Sequence, residues 1–224
     1  KRKDFIRNSS GIILGSIISP NLMANLNPSS TINMGVIGTG GRGKGIIKLL
    51  NNLPGINVIA VCDTLSFRLK EGFDLIRNNK NSKRYKDYRK LLDNKNVDGV
   101  IISTPLNTHD KIAVDALDAD KHVYCEKTLA KGAAATSRIV NKCKNSNKIF
   151  QTGHQYHSSR LYTKLVDMIE DGKVGKITSI EAQWNRNGNW RKPVPDPTLE
   201  RQINWRMYRE YSFGLLAELS SHQI

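Results

Sequence analysis

A chain of 224 residues has room for one large domain or one and a half smaller ones. Hydrophobic residues make up 38% and charged residues 25%, the balance of an ordinary soluble globular protein. The formal net charge of +15 raises nucleic acid as a partner, but the basic residues are scattered. They cluster only at the N-terminus and in "NSKRYKDYRK", where acidic and aromatic residues interleave, so the reading is a solvated basic face and no nucleic-acid partner. Three cysteines, Cys62, Cys125 and Cys143, form an odd set without CxxC spacing, which excludes a disulfide framework and a zinc site; no metal is expected.

Residues 1–30 have a basic start, the apolar run "GIILGSII" and a polar Ser/Asn/Pro tract. That is the layout of an export leader, and the apolar run is too short to span a bilayer. Arg2-Lys3-Asp4-Phe5-Ile6-Arg7 is similar to a twin-arginine motif with Lys3 in the second arginine's place. The expectation is a periplasmic protein with no membrane segment once the leader is gone; the alternative is a basic tail on a cytoplasmic one.

From residue 32 the pattern alternates. "INMGVI" reads as a strand, followed by a glycine turn and a helix with Ile46, Ile47, Leu49, Leu50 and Leu53 on one face. "INVIAVC" is a second strand, "LSFRLKEGFDLIRNN" a helix and "YKDYRKLLDN" a short helix. "VDGVIISTP" is a buried strand ended by Pro105, and "NTHDKIAVDALDAD" a helix with Ile112, Val114, Ala116 and Leu117 as apolar positions. "KHVYCE", "AAATSRIVNKCKNS" and "KIFQTG" follow as strand, helix and strand. Continuous apolar strands alternating with helices predict an α/β domain with a doubly wound parallel sheet over residues 31–154.

Beyond that the character changes. "SSRLYTKLVDMIEDGKVG" predicts a helix closed by Gly172 or Gly175, and "KITSIEAQWNRNG" alternates like a half-buried strand. A loop rich in Trp, Arg, Asn and Pro leads to a last helix, inside which the chain stops at Ile224. Residues 155–224 therefore read as the beginning of a second domain that is not finished, the pattern of a fragment.

Gly38-x-Gly40-x-x-Gly43, with Gly41 and Arg42 between, fits the dinucleotide fingerprint, and its context is right. It follows a strand and opens a helix whose N-terminus can receive a pyrophosphate. Asp63 ends the next strand, where an acid accepts hydrogen bonds from ribose hydroxyls and repels a 2′-phosphate, favouring NAD over NADP. Ligands of open α/β sheets sit at the carboxyl ends of the strands. Thr104, Pro105, Asn107 and His109 in "STPLNTH" would line that crevice, and "CEKTLA" delivers Glu126 and Lys127 there as a charged pair.

GTGGRG, Asp63, "STPLNTH", "CEKTLA", "QTGHQYHSSR" and "GLLAELSSHQ" stand in an order that resembles the glucose–fructose oxidoreductase / inositol dehydrogenase (Gfo/Idh/MocA) family. The resemblance implies an N-terminal Rossmann domain and a C-terminal α+β domain whose open, mostly antiparallel sheet forms the substrate pocket and a homo-oligomer interface. It implies NAD-dependent hydride transfer to or from a carbinol of a sugar or polyol. Lys127 matches the lysine of the family's Glu-Lys-Pro motif, with Thr128 in place of proline. Glu218 and His222 match an Asp and His four residues apart on a helix, with Glu for Asp. By resemblance His222 is the general base, Lys127 polarises the substrate oxygen, and Glu218 orients the imidazole or the substrate. His154 and Gln155 fall near substrate and nicotinamide. Trp184, Trp190 and Arg191 offer aromatic faces and a guanidinium to a carbohydrate, or the tryptophans anchor a core. Two other readings stay open: an NAD-dependent glycosidase acting by transient oxidation and elimination, and a non-catalytic NAD or sugar sensor.

Overall fold

The computed structural model describes residues 31–185 and 187–222. The expected leader of residues 1–30 lies outside the described residues. Six strands form one sheet: β1 (Ile32–Ile37), β2 (Ile56–Cys62), β3 (Lys83–Tyr85), β4 (Gly99–Ile102), β5 (His122–Glu126) and β6 (Phe150–Gly153). Their order is β3-β2-β1-β4-β5-β6 and every pairing is parallel. Strand order reverses beside β1, so the crevice for a ligand opens where β1 and β4 part.

Register decides what lines that crevice. Ile37 pairs with Cys62 on one side and Ile102 on the other, and Ile102 pairs with Cys125. Three strands therefore end level, and the residues that follow them, Gly38, Asp63 and Ser103, come out on one edge of the sheet beside Glu126, the last residue of β5.

Helices cover both faces. On one, α1 (Gly41–Leu50) and α2 (Ser66–Asp74) pack Ile46, Ile47 and Leu69 against Val36, Val58, Val61 and Ile101. On the other, α3 (Tyr88–Leu92), α4 (His109–Asp118) and α5 (Ala133–Lys144) pack Leu91, Ile112, Ala116 and Ile139 against Ile37, Val100, Ile102 and Val123. Strands buried on both faces read as unbroken apolar runs, which is why they were legible. Burial pushes the Cys62 thiol up to about 12, and Cys125 higher still, so both behave as small core hydrophobes.

Three expectations are corrected. Leu49 and Leu53 are 62% and 49% exposed, because the buried stripe of α1 is only Ile46 and Ile47 wide. The short helix read over residues 85–94 begins only at Tyr88, and Tyr85 closes strand β3, whose two exposed residues of three leave no alternation to find. The described residues of 176–185 and 187–188 form no strand: a strand is held by a neighbour's backbone, and none is offered to them among the described residues.

Helix α6 (Arg160–Glu170) ends at Gly172 with φ of 69°, where the Gly172 and Lys173 amides donate back to Ile169 and Met168 carbonyls. No residue of α6 is buried. The short α7 (Glu200–Ile203) and α8 (Gly214–Ser220) return the chain to the crevice edge. No helix among the described residues is long and apolar enough to cross a membrane.

Candidate active site

The glycine turn is shaped by backbone contact. Gly38 has φ of +90°, and a Cβ there would lie 2.7 Å from the Ser103 carbonyl oxygen. A Cβ on Gly43 would lie 1.9 Å from the Gly38 carbonyl oxygen, so α1 reaches the end of β1 only without a side chain at that point. Ser103 Oγ closes the corner by donating to Gly38 O at 2.6 Å. No side chain caps α1 at Gly40, and its first-turn amides are left for a ligand. A bare backbone cradle at a helix N-terminus fits a pyrophosphate.

Asp63 sits beside this cradle, tied into the turn. Its Oδ2 accepts from Thr39 N at 2.8 Å, with the Thr39 hydroxyl 3.3 Å away, and its Oδ1 accepts from Leu65 N at 2.9 Å. Oδ1 keeps a lone pair that fits a ribose hydroxyl.

At the end of β5 the expected Glu126–Lys127 pair is replaced by two divergent ones. Arg42, assigned to the cofactor by sequence, donates to Glu126 Oε1 from Nε at 2.8 Å, with a second nitrogen at 2.7 Å. Lys127 turns the other way: its Nζ donates to the Glu218 carbonyl oxygen at 2.6 Å and lies 3.7 Å from Glu218 Oε2. Successive side chains of extended backbone point to opposite sides, so neighbours in sequence need not meet. Burial pushes the Lys127 ammonium below the usual lysine pKa; Glu218 opposes this and Arg206 adds to it. The peptide from Lys127 to Thr128 is cis. The Thr128 hydroxyl donates to Ala217 O at 3.2 Å, a bond for which proline has no donor.

Glu218 is 1% exposed and its carboxylate is fully engaged. Arg206 Nε donates to Oε2 at 3.0 Å and Ser212 Oγ to Oε1 at 3.4 Å. The expected carboxylate–imidazole bond to His222 is not made. The imidazole follows α8 by two residues and stacks on Trp184, with ring centroids 5.1 Å apart and planes at 20°, and Tyr156 lies against it at 5.3 Å. Its Nδ1 is buried with no hydrogen-bond partner among the described residues. Burial lowers the His222 pKa, and the charges of Lys127 and His154 push it the same way. Burial also lowers that of His154, with His157 and Lys127 contributing. Lys127, His154 and His222 thus share one electrostatic neighbourhood.

The other expected residues lie on the loops after β4 and β6 and in the segment after the sheet. His109 does not line the crevice; it is 2% exposed, with Nδ1 3.0 Å from Thr128 O and Nε2 3.0 Å from Thr104 O. It is a strut between the loops after β4 and β5. His109→Ala is expected to cost about 2 kcal/mol through an unpaired carbonyl and a cavity, read as a lower denaturation midpoint at unchanged slope; an unchanged midpoint contradicts the strut. Thr104 accepts from the Thr108 hydroxyl at 2.8 Å, Pro105 opens the 3-10 turn Leu106–Thr108, and the Asn107 amide bonds Tyr211 O at 3.2 Å. Gln155 is exposed. Arg191 pairs with Glu200, so its guanidinium is already engaged, and Trp190 is half-buried. Arg206, Ser212 and Tyr156 went unnoticed in the sequence, because nothing in their spacing marks their partners.

A parallel sheet of this strand order, with a first turn stripped of side chains and a second strand ending in an acid, defines a dinucleotide-binding domain. The chain belongs to the GFO_IDH_MocA oxidoreductase family with an NAD-binding Rossmann fold, whose model matches residues 32–154. It is 34% identical over 155 residues to an inositol 2-dehydrogenase of Salmonella paratyphi B, covering 68% of this chain and 46% of that protein. It is 28% identical over 210 residues to a glycosyl hydrolase family 109 protein of Shewanella woodyi, covering 90% of this chain and 43% of that one. Among solved structures, myo-inositol dehydrogenase of Lactobacillus casei in complex with NAD(H) and myo-inositol matches with a TM-score of 0.60 and 30% identity, over 65% of this chain and 43% of that chain. The chain spans less than half the length of these relatives.

Proposed function

We propose that this chain carries the cofactor site and the catalytic edge of an NAD-dependent oxidoreductase acting on a carbinol of a sugar or polyol. The observation that carries the reading is the half-buried Lys127 ammonium, set at the sheet edge beside His154 and His222 and braced by the buried Glu218. NAD, when bound, supplies the acceptor for the hydride leaving the carbinol carbon. Lys127 donates a hydrogen bond to the reacting oxygen, and His222 removes its proton. Glu218 works through Lys127 and Arg206, not through the imidazole. The relatives named for inositol oxidation support the substrate class.

The pH dependence follows in sign. His222 accepts a proton only when neutral, and its pKa lies below the ordinary 6.5. Lys127 donates only when charged, and its pKa lies below the ordinary 10.5. The kcat/KM profile is expected to be bell-shaped, with an acid limb centred below pH 6.5 and an alkaline limb below pH 10.5. An acid limb centred above 6.5 in a kcat/KM profile contradicts the base assignment.

A second reading is favoured by the family 109 match, which runs along 90% of the chain. In it, oxidation of a ring carbinol acidifies the neighbouring C–H. A base takes that proton, the glycosidic oxygen leaves, water adds, and the hydride returns. A panel of polyols, sugars and glycosides, followed both by nicotinamide absorbance and by release of free sugar, separates the two. Net reduced cofactor from a polyol supports the dehydrogenase; free sugar without net reduction supports the glycosidase. Binding of NAD with neither product leaves a sensor.

A further inference from the structure

Lys192 is not in the Rossmann domain, yet its ammonium lies over the first turn of α1. A Cβ on Gly41 would be 3.5 Å from Lys192 Nζ, and one on Gly40 would be 3.7 Å from a guanidinium nitrogen of Arg68. Two cations thus flank the two residues that open the helix. Among the described residues neither has a carboxylate partner. Burial lowers the Lys192 pKa, and the charges of Arg206, Arg68 and Lys44 lower it further. Like charges gathered at one point, beside amides that also present positive charge, are stabilised by an anion arriving between them.

The position of Lys192 is built. Its backbone amide donates to Asn204 Oδ1 at 2.7 Å, and Asn204 Nδ2 donates back to the Lys192 carbonyl at 2.9 Å. Asn204 is itself 3% exposed and is fixed by Glu200 Oε2 at 2.9 Å. A buried amide that grips both polar groups of one residue sets where the side chain starts, twelve positions away in sequence.

We propose that Lys192 reaches back across the crevice and binds the pyrophosphate of the dinucleotide, making the cofactor site a joint product of the Rossmann domain and the segment after it. This rests on the reading that the Gly38–Gly43 corner receives a dinucleotide. Lys192 closes the phosphates from the solvent side, and cofactor release requires this segment to lift. A charge-assisted bond of this kind adds affinity without any contact to the bases or the reacting carbon, so NAD and ADP-ribose share it.

The test is calorimetric titration of the full chain, stripped of nucleotide, with NAD, ADP-ribose and adenosine. Lys192→Met is expected to weaken NAD and ADP-ribose by about tenfold and to flatten the dependence of both on salt, with adenosine unaffected. Lys192→Arg should retain most of the affinity. Lys48→Met, an equal charge loss at the exposed far end of α1, should bind as the wild type does. Wild-type affinity for NAD in Lys192→Met overturns the proposal while leaving the dinucleotide corner standing. A wild-type chain that binds neither NAD nor ADP-ribose overturns the corner itself.

Discussion

Lys127→Ala is expected to lower kcat/KM on the order of a thousandfold while NAD affinity changes less than about threefold. The asymmetry comes from where the ammonium sits. It bonds α8 through the Glu218 carbonyl and carboxylate, on the side of β5 away from the Arg42–Glu126 pair that faces the glycine turn. Its loss removes the donor to the reacting oxygen and leaves Glu218 with Arg206 and Ser212 as its remaining polar partners. The fold should survive, because Arg206 still neutralises the buried carboxylate. Lys127→Met keeps the stem without the charge and should be equally inactive. Turnover near the wild-type rate in either variant, or joint loss of turnover and NAD binding, contradicts the role.

Gly43→Ala should destabilise the protein by about 3 kcal/mol or more and remove nucleotide binding. The added methyl would stand 1.9 Å from the Gly38 carbonyl and 2.8 Å from Ser103 Oγ. Gly38 has little room to retreat, because its amide is bonded to Cys62 O at 2.8 Å and its own positive φ holds the turn. Gly45, two residues on in the same helix, has nothing within 4 Å of an added Cβ. Gly45→Ala should therefore raise stability by about 0.5 to 1 kcal/mol, since alanine loses less freedom in a helix. Denaturant midpoints of the two variants, measured side by side, distinguish a steric requirement from a general dislike of change in α1.

The contrast between those glycines shows what a single sequence discloses. Gly38 and Gly43 answer to backbone sterics within one turn, and a local demand leaves a local mark. Asp63 is similar, since strand end and glycine turn together fix what an acid there can face. The Rossmann strands were visible because burial on both faces writes uninterrupted apolar runs. The pairs that arm the site were not visible. Arg42 meets Glu126 across 84 positions, and Lys127 meets Glu218 across 91. Adjacent opposite charges at 126 and 127 invite a pairing that extended backbone forbids. His109 looked like a crevice residue from its place after β4, and only the packing of α4 reveals that it faces inward. The alternation of residues 176–188 is genuine, yet alternation records which side is to be covered and not whether a neighbour is present.

One consequence follows from the parting of Glu126 and Lys127. On the proposed reading, a single peptide link divides the crevice into two jurisdictions, one answering to the nucleotide and the other to the molecule being transformed. Changes around Arg42 then act first on the coenzyme, and changes around Arg206 and Ser212 first on the chemistry, with the charges of Arg42 on His222 and of Arg206 on Lys192 linking the two sides. A scaffold partitioned in this way lends itself to diversification, because each trait is reached mainly through its own side.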